Sequence, residues 1–320
     1  MTDNIPPFTE LLADSPKNWG RWGTDDEIGA LNFLGPAEAL TGAASIRSGR
    51  SFTLGIPIAD PVGDPVWPGR RPTQRFNVLD HSHFAAGKGP DIPGGAEYSD
   101  DVVVMYLQGT TQFDALGHAW YDGQIYNGYP ASSTIGAMEK ASILPIAEHG
   151  VVGRGVLIDM ATHRGKAVLD AGETFTHEDL LAAAAAQGVE IRKRDILLIR
   201  TGWIGSYLGG DVEKFHARPF LEPGLTYSPE LVDWFVEREI PVLGTDTITN
   251  EVTVDPVSHT SLPLHQALMR NLGVLFSEIL NLDALAEDCR ADGQWSFLYT
   301  AAPLKIHGGT GAPVNPVVIK

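Results

Sequence analysis

Gln108, Gln112, Asp114 and His118 fall within eleven consecutive residues. Two carboxamides, a carboxylate and an imidazole offer three oxygen donors and one base. A divalent cation and the water it activates need that kind of set. All four positions are an even number apart, so on an extended strand they would project from one face. Val102, Val103, Val104 and Met105 precede them, which predicts a strand running into a loop. Spacing alone leaves a second reading open: Gln, Thr and Asp also fill polar loops and bond to nearby backbone. The chain has no His-Glu-x-x-His signature, and glutamine is an uncommon metal ligand.

Further donors lie downstream. His265 falls on a helix expected over 262–269, and Glu278 ends a strand expected over 273–278. Both can ligate a metal; both could equally be a surface histidine and a strand-end glutamate. His259, six residues before His265, need not share its face. Asp246, at the end of an expected strand 241–246, could orient a ligand from behind. Residues 60–100 are rich in Gly, Pro and Asp and read as a long loop of the kind that lines sites. Trp22, His81 and His83 are taken as candidate pocket residues. The run Gly308 to Gly311 resembles a phosphate-cradling turn, but no helix signal follows and a simple turn is expected. No G-x-S-x-G elbow and no G-x-x-x-x-G-K-[ST] loop is present. His149, His163, His177 and His216 carry no pattern.

These residues need a frame, and the chain alternates strand and helix signals past residue 150. Val151 to Met160, Asp195 to Arg200, Pro241 to Asp246, Gly273 to Glu278 and Pro303 to His307 read as strands. Thr176 with Asp179 forms a variant capping box before a helix that Gly188 ends. Ser228, Pro229 and Glu230 supply a cap, an N1 proline and an acidic first turn. Thr24 to Glu27 looks like another helix start. The pattern implies an α/β fold around a mixed sheet. No linker divides the chain, so 1–320 is expected to be one domain, with 1–60 as an N-terminal extension packed on it.

Composition narrows the partners. Hydrophobic residues make up 43% and charged residues 20% of the 320, as in a soluble globular protein. The formal net charge of -17 argues against nucleic acid or anionic membrane as partners, leaving a small-molecule substrate. Cys289 is the one cysteine. No disulfide can form within the chain, and a cytoplasmic home is expected. Its neighbours Glu287, Asp288 and Arg290 make it a poor thiolate. The opening residues, Met1 to Pro7, lack the features of a signal peptide.

With these residues in view, the chain resembles the cyclase family of metal-dependent hydrolases, which includes bacterial kynurenine formamidases and isatin hydrolases. That family carries H-x-G-T-H-x-D-x-P-x-H. Matched on Asp114 and His118, Gln108 and Gln112 stand where it has its first two histidines, and Leu116 where it has proline. Arg200 to Trp203, His265, Glu278 with Asn281 and Leu282, and Gly309 to Pro313 resemble its downstream segments. Trp22 to Asn32 resembles a longer branch of the family. The pattern Gln-x-x-x-Gln-x-Asp-x-x-x-His resembles the branch that contains zinc-dependent trans-dienelactone hydrolase.

The resemblance implies a swivelling β/β/α fold and one or two divalent ions, Zn²⁺ or Mn²⁺. Gln108, Gln112 and Asp114 would hold the metal, and His265 and Glu278 would complete or support the site. It further implies a homodimer or homotetramer. Carboxamide oxygen is harder than imidazole nitrogen, which tilts selectivity toward Mn²⁺. The expected activity is opening of a lactone or of a cyclic or aryl amide, with His118 as general base and then acid. A cyclisation or dehydration, or a metal-free binding protein, are the alternatives.

Overall fold

Short runs of Ile, Leu and Val, bounded by Gly, Pro and Asp, form the centre of one sheet. The computed structural model describes residues 5–61, 64–213, 217 and 219–320. His216 and the first four residues of the opening segment therefore lie outside the described residues. In chain order the strands are β1 (Ser51–Thr53), β2 (Gln74–Leu79), β3 (Asp100–Val104), β4 (Gln112–Asp114), β5 (Val151–Asp159), β6 (Thr174–Phe175), β7 (Ile196–Arg200), β8 (Gly224–Leu225), β9 (Val242–Thr245), β10 (Leu275–Glu278), β11 (Ser296–Ala301), β12 (Gly311–Pro313) and β13 (Val317–Ile319). Nine of them make one mixed sheet in the order β1-β13-β11-β5-β7-β9-β10-β4-β12. The strands β5, β7, β9 and β10 are parallel neighbours, and the outer strands pair antiparallel. The fold is α/β with a mixed sheet, as the alternation of signals implied.

The parallel strands are connected through helices His177–Gln187, Pro229–Arg238 and His265–Leu272. Their ends follow the local chemistry. The Thr176 hydroxyl accepts from Asp179 N at 3.3 Å and the Asp179 carboxylate accepts from Thr176 N at 3.0 Å. Gly188 closes that helix in the left-handed conformation at φ 70. Ser228 caps the next helix through Leu231 N at 3.1 Å. The third is a wide π-type segment, a rare form that occurs frequently at functional sites. Parallel strands buried on both faces direct their carboxyl ends to one edge, where open α/β sheets bind ligands. Glu278 stands at that edge, at the end of β10, and the segment holding Glu251 follows β9.

Several sequence expectations shift. Val102 to Val104 do not lead into the site strand. They form β3, which pairs with β2 in a separate, exposed two-stranded arm. Gln108 comes after the arm, in a turn, so only Gln112 and Asp114 share a strand. Pro303 to His307 is irregular; β11, β12 and β13 take the sheet positions instead. Pro303 has no N–H for a ladder, which disfavours an interior strand there. Thr24 to Glu27 precedes a single 3-10 turn, Gly29–Phe33, rather than an α-helix. Asp26 accepts from Gly29 N at 3.0 Å and from the Tyr126 hydroxyl at 2.7 Å, tying this turn to the body. Gly29, at φ +56, packs against Gly273 so closely that a Cβ would lie 2.5 Å from the Gly273 carbonyl oxygen. No helix among the described residues is long and apolar enough to cross a membrane. Cys289 is buried, and burial pushes its thiol up to about 12, an inert group as its acidic neighbours suggested.

Candidate metal centre

Strand β4 carries the centre of the site. Phe113 points into the core and is fully buried. Its neighbours Gln112 and Asp114 therefore face the other way, on one face of the strand. Truncating Phe113 would cost roughly 3–5 kcal/mol and loosen both polar neighbours. Register places Gln112 opposite Glu278 on β10 and Asp114 opposite Gly311 on β12. Gln112 Nε2 donates to Glu278 Oε2 at 2.6 Å. The bond fixes the carboxamide, so its oxygen is the free end.

His265 reaches the same point from the helix. Glu251, fully buried, accepts from Leu264 N at 2.6 Å and His265 N at 2.8 Å. It also holds His265 Nδ1 at 2.6 Å, which turns Nε2 to within 3.5 Å of Glu278 Oε1. Ligand atoms of Asp114, His265 and Glu278 lie within 4.8 Å of one another, and all three side chains are buried. Both Asp114 oxygens, Gln112 Oε1 and Glu278 Oε1 are buried and have no hydrogen-bond partner. A buried carboxylate with neither oxygen paired is costly unless a cation compensates it. Carboxylate, carboxamide and imidazole donors converging in this way fit a divalent ion.

Electrostatics agree with that fit. Burial and the nearby Asp114 charge push the Glu278 carboxyl up to about 8. Burial raises Glu251 as well, against its bonds from His265. Burial works to lower His265, but Glu251 and Glu278 win and carry it up to about 10. Without a cation the cluster thus retains protons that a cation would displace.

Gln108 and His118 complete the edge. Gln108 Nε2 donates to the Thr310 carbonyl at 3.0 Å and approaches the Thr310 hydroxyl at 3.1 Å and His118 Nδ1 at 3.5 Å. The glycine-rich turn at 308–311 is thus no phosphate cradle. It supports Gln108, and a Cβ on Gly311 would sit 2.7 Å from Gln108 Nε2. His118 is half-buried, and burial lowers its pKa against the opposing Asp114 charge. A cavity of about 280 Å³ opens here, at the small end for ligand sites. His118, His265 and Glu278 line it with Trp67, Arg70 and Gln266 among others.

Other expected residues lie elsewhere. Trp22 packs edge-on against Phe33 at 5.0 Å and under Arg21, and does not line this cavity. His81 and His83 sit on the short helix His81–Ala85 between β2 and β3. His81 faces Glu97 at 3.3 Å and His83 faces Asp80 at 3.2 Å, both away from the cavity lining. The long loop does reach the site, but through Trp67 and Arg70. Asp246 orients no ligand. Its carboxylate accepts from Thr201 N at 2.7 Å and Gly202 N at 2.6 Å, holding the turn after β7, and burial raises it to about 6. Glu251 has the orienting role instead. Asp246 and Glu251 are the only charges between Pro241 and Val254, an isolation that marks both without telling which of them holds His265.

Residues 52–252 match the Cyclase family model. A crystal structure described as a novel cyclase is 35% identical, with a TM-score of 0.86 over 95% of this chain and 100% of its own. A kynurenine formamidase from Salinibacter ruber is 33% identical over 90 residues, 28% of this chain and 37% of that enzyme. The chain thus aligns with well under half of that curated relative. Isatin hydrolase A from Ralstonia solanacearum shares the fold at a TM-score of 0.60 and 21% identity, over the full length of both chains.

Proposed function

The chain belongs to the cyclase family, and from that premise we propose that it is a metal-dependent hydrolase of a small cyclic ester, cyclic amide or aryl amide. One observation carries the reading. Asp114 and Gln112 present buried oxygens without hydrogen bonds beside the His265–Glu278 pair, and His265 and Glu278 line a cavity together with His118. The relatives named as a formamidase and an isatin hydrolase support hydrolysis over other chemistry.

Asp114, His265, Glu278 and the Gln112 oxygen would hold the ion, with Gln108 beside them. When bound, a divalent ion supplies polarisation of the scissile carbonyl and a lowered pKa for water. The oxygen-rich donor set favours Mn²⁺ or a similar hard ion over Zn²⁺. His118 takes the proton from the attacking water and returns it to the leaving oxygen or nitrogen. The Gln108 amide faces Nδ1 at 3.5 Å, too long to hold that nitrogen firmly, so it stays able to accept a proton. Burial keeps the imidazole neutral, and therefore basic, to below its ordinary range. Glu251 fixes the tautomer and orientation of His265. Trp67, Ile248 and Leu262 give the cavity an apolar side that suits a flat ring.

An assembly of two or four copies belongs to the same proposal. Exposed Phe76, Val78, Val102 and Val104 on the arm support it, and light scattering tests it.

Elemental analysis after growth with Mn²⁺ and Zn²⁺, followed by turnover in ¹⁸O-labelled water, tests the activity. The reading expects bound metal and one solvent oxygen in the product. Metal without solvent oxygen would point to cyclisation or dehydration. Absence of both metal and turnover would point to a binding protein.

A further inference from the structure

Arg70 stands out in the cavity because of what it lacks. In this acidic chain Arg154 is paired with Asp195, Arg194 with Glu38 and Glu239, and Arg200 with Asp159 and Asp283, while buried Arg270 spends its guanidinium on the Gln124 and Tyr121 carbonyls and on Asn271. Arg70 lines the cavity that holds Glu278 and its charge acts on that carboxyl, but among the described residues no carboxylate makes a close ion pair with it. Its Nη1 donates to the Gln108 carbonyl at 2.9 Å, which anchors the side chain beside the metal-competent residues. Buried Asp64 accepts from Ala59 N at 3.1 Å and from Thr73 N at 2.6 Å, which ties those two points of the backbone together near Arg70 in sequence.

A second group in the same cavity is also without a partner. Gln266 is only 7% exposed and lines the cavity, and its Oε1 is buried with no hydrogen bond. Trp67, which also lines the cavity, is held edge-on against Phe220 at 5.3 Å. The cavity thus combines an aromatic wall, one guanidinium with free N–H groups and one carboxamide with no other task. A guanidinium fork matches a planar carboxylate. A doubly charged phosphate suits this place less well, because Asp114 and Glu278 lie close and Arg70 offers a single planar fork.

We propose that Arg70 is a specificity-determining residue that binds a carboxylate on the substrate, so that the ester or amide opened here is an anionic one. The proposal rests on the hydrolase reading. It differs from a role for Arg70 in stabilising the reaction's oxyanion, which would serve charged and neutral substrates alike.

The test uses matched pairs on the metal-loaded enzyme: N-formylanthranilate with its methyl ester, and γ-butyrolactone-γ-carboxylate with its methyl ester. Wild type is expected to favour the acid. In Arg70→Gln the acid-to-ester ratio of kcat/KM should fall about 10- to 100-fold, mostly through KM, with metal content unchanged. Arg70→Lys should recover part of it. A ratio left unchanged by Arg70→Gln overturns the proposal while the hydrolase reading stands. If neither pair is turned over, the hydrolase reading loses its support and binding decides. Calorimetry with benzoate and benzamide then expects the benzoate preference to drop by about tenfold in Arg70→Gln. A preference that survives the substitution overturns the proposal.

Discussion

Gln112 Nε2 donates to Glu278 Oε2 at 2.6 Å, across the antiparallel pair β4 and β10. The bond sets which end of the carboxamide faces the site. The amine end is spent on Glu278, and the oxygen end, buried and unpaired, joins the two unpaired oxygens of Asp114. The glutamine therefore turns an oxygen donor toward the Asp114 side of the cluster.

Asp114→Asn separates the structural and metal-binding roles of this cluster. In metal-free protein, Asp114 is a buried carboxylate without a hydrogen bond. Replacing it with a neutral amide should stabilise the apo chain by about 1–3 kcal/mol. The same change should abolish most of the rise in Tm that added Mn²⁺ gives the wild type. Paired melting curves with and without metal check both halves. An apo Tm that drops, with the metal-induced rise intact, would contradict the assignment.

His118→Ala should lower kcat by about 10²- to 10⁴-fold, the usual contribution of a positioned acid–base group. Metal stoichiometry should not change. In wild type, activity should be lost as pH falls through the His118 pKa. Because burial lowers that pKa, the acid limb of kcat/KM should lie below the ordinary histidine value of about 6.5. An acid limb above that value would assign the limb to another group.

The order of strands and helices past residue 150 was legible because the parallel strands are buried on both faces and read as unbroken apolar runs, as in Ile196 to Ile199. The site was legible in part. Gln112 and Asp114 alternate on a real strand, His265 lies on an expected helix and Glu278 ends an expected strand. Gln108 reaches the same edge by a turn, a route that strand periodicity does not describe. Glu251, Arg70 and Gln266 were not legible, because their roles depend on contacts between segments far apart in sequence. His81 and His83 failed for the same reason. They lie in the polar loop region that was expected to line the site, but β2 and β3 pair with each other and carry them away from the sheet edge.

Metal affinity should rise with pH. In the apo chain, Glu278 keeps a proton up to about 8 and His265 stays imidazolium up to about 10. A cation must displace these protons, so binding releases one or two of them. Apparent affinity for Mn²⁺ should therefore climb roughly ten- to a hundredfold per pH unit below about pH 8, and more slowly above it. Competition with a chromophoric chelator at several pH values measures the slope. A flat profile would mean that the ion does not contact these two groups.

Glu222 offers a stability test away from the ligands. It is fully buried; one oxygen accepts from Ile248 N at 2.8 Å and Thr249 Oγ1 at 3.0 Å, and the other has no partner. Burial pushes its carboxyl up to about 8, with the Glu278 charge adding to the shift. A raised folded pKa means that the native chain binds more protons than the unfolded one between the two values. Stability from this group is thus complete below the unfolded value of about 4.3 and is lost as pH rises through about 8. Glu222→Gln keeps an oxygen for Ile248 and Thr249 and cannot ionise. The variant should match wild type near pH 5 and exceed it by a few kcal/mol, as an order of magnitude, near pH 9. Denaturant melts across that range read the difference directly, and a gap that does not widen with pH would show that Glu222 is not protonated in the folded chain.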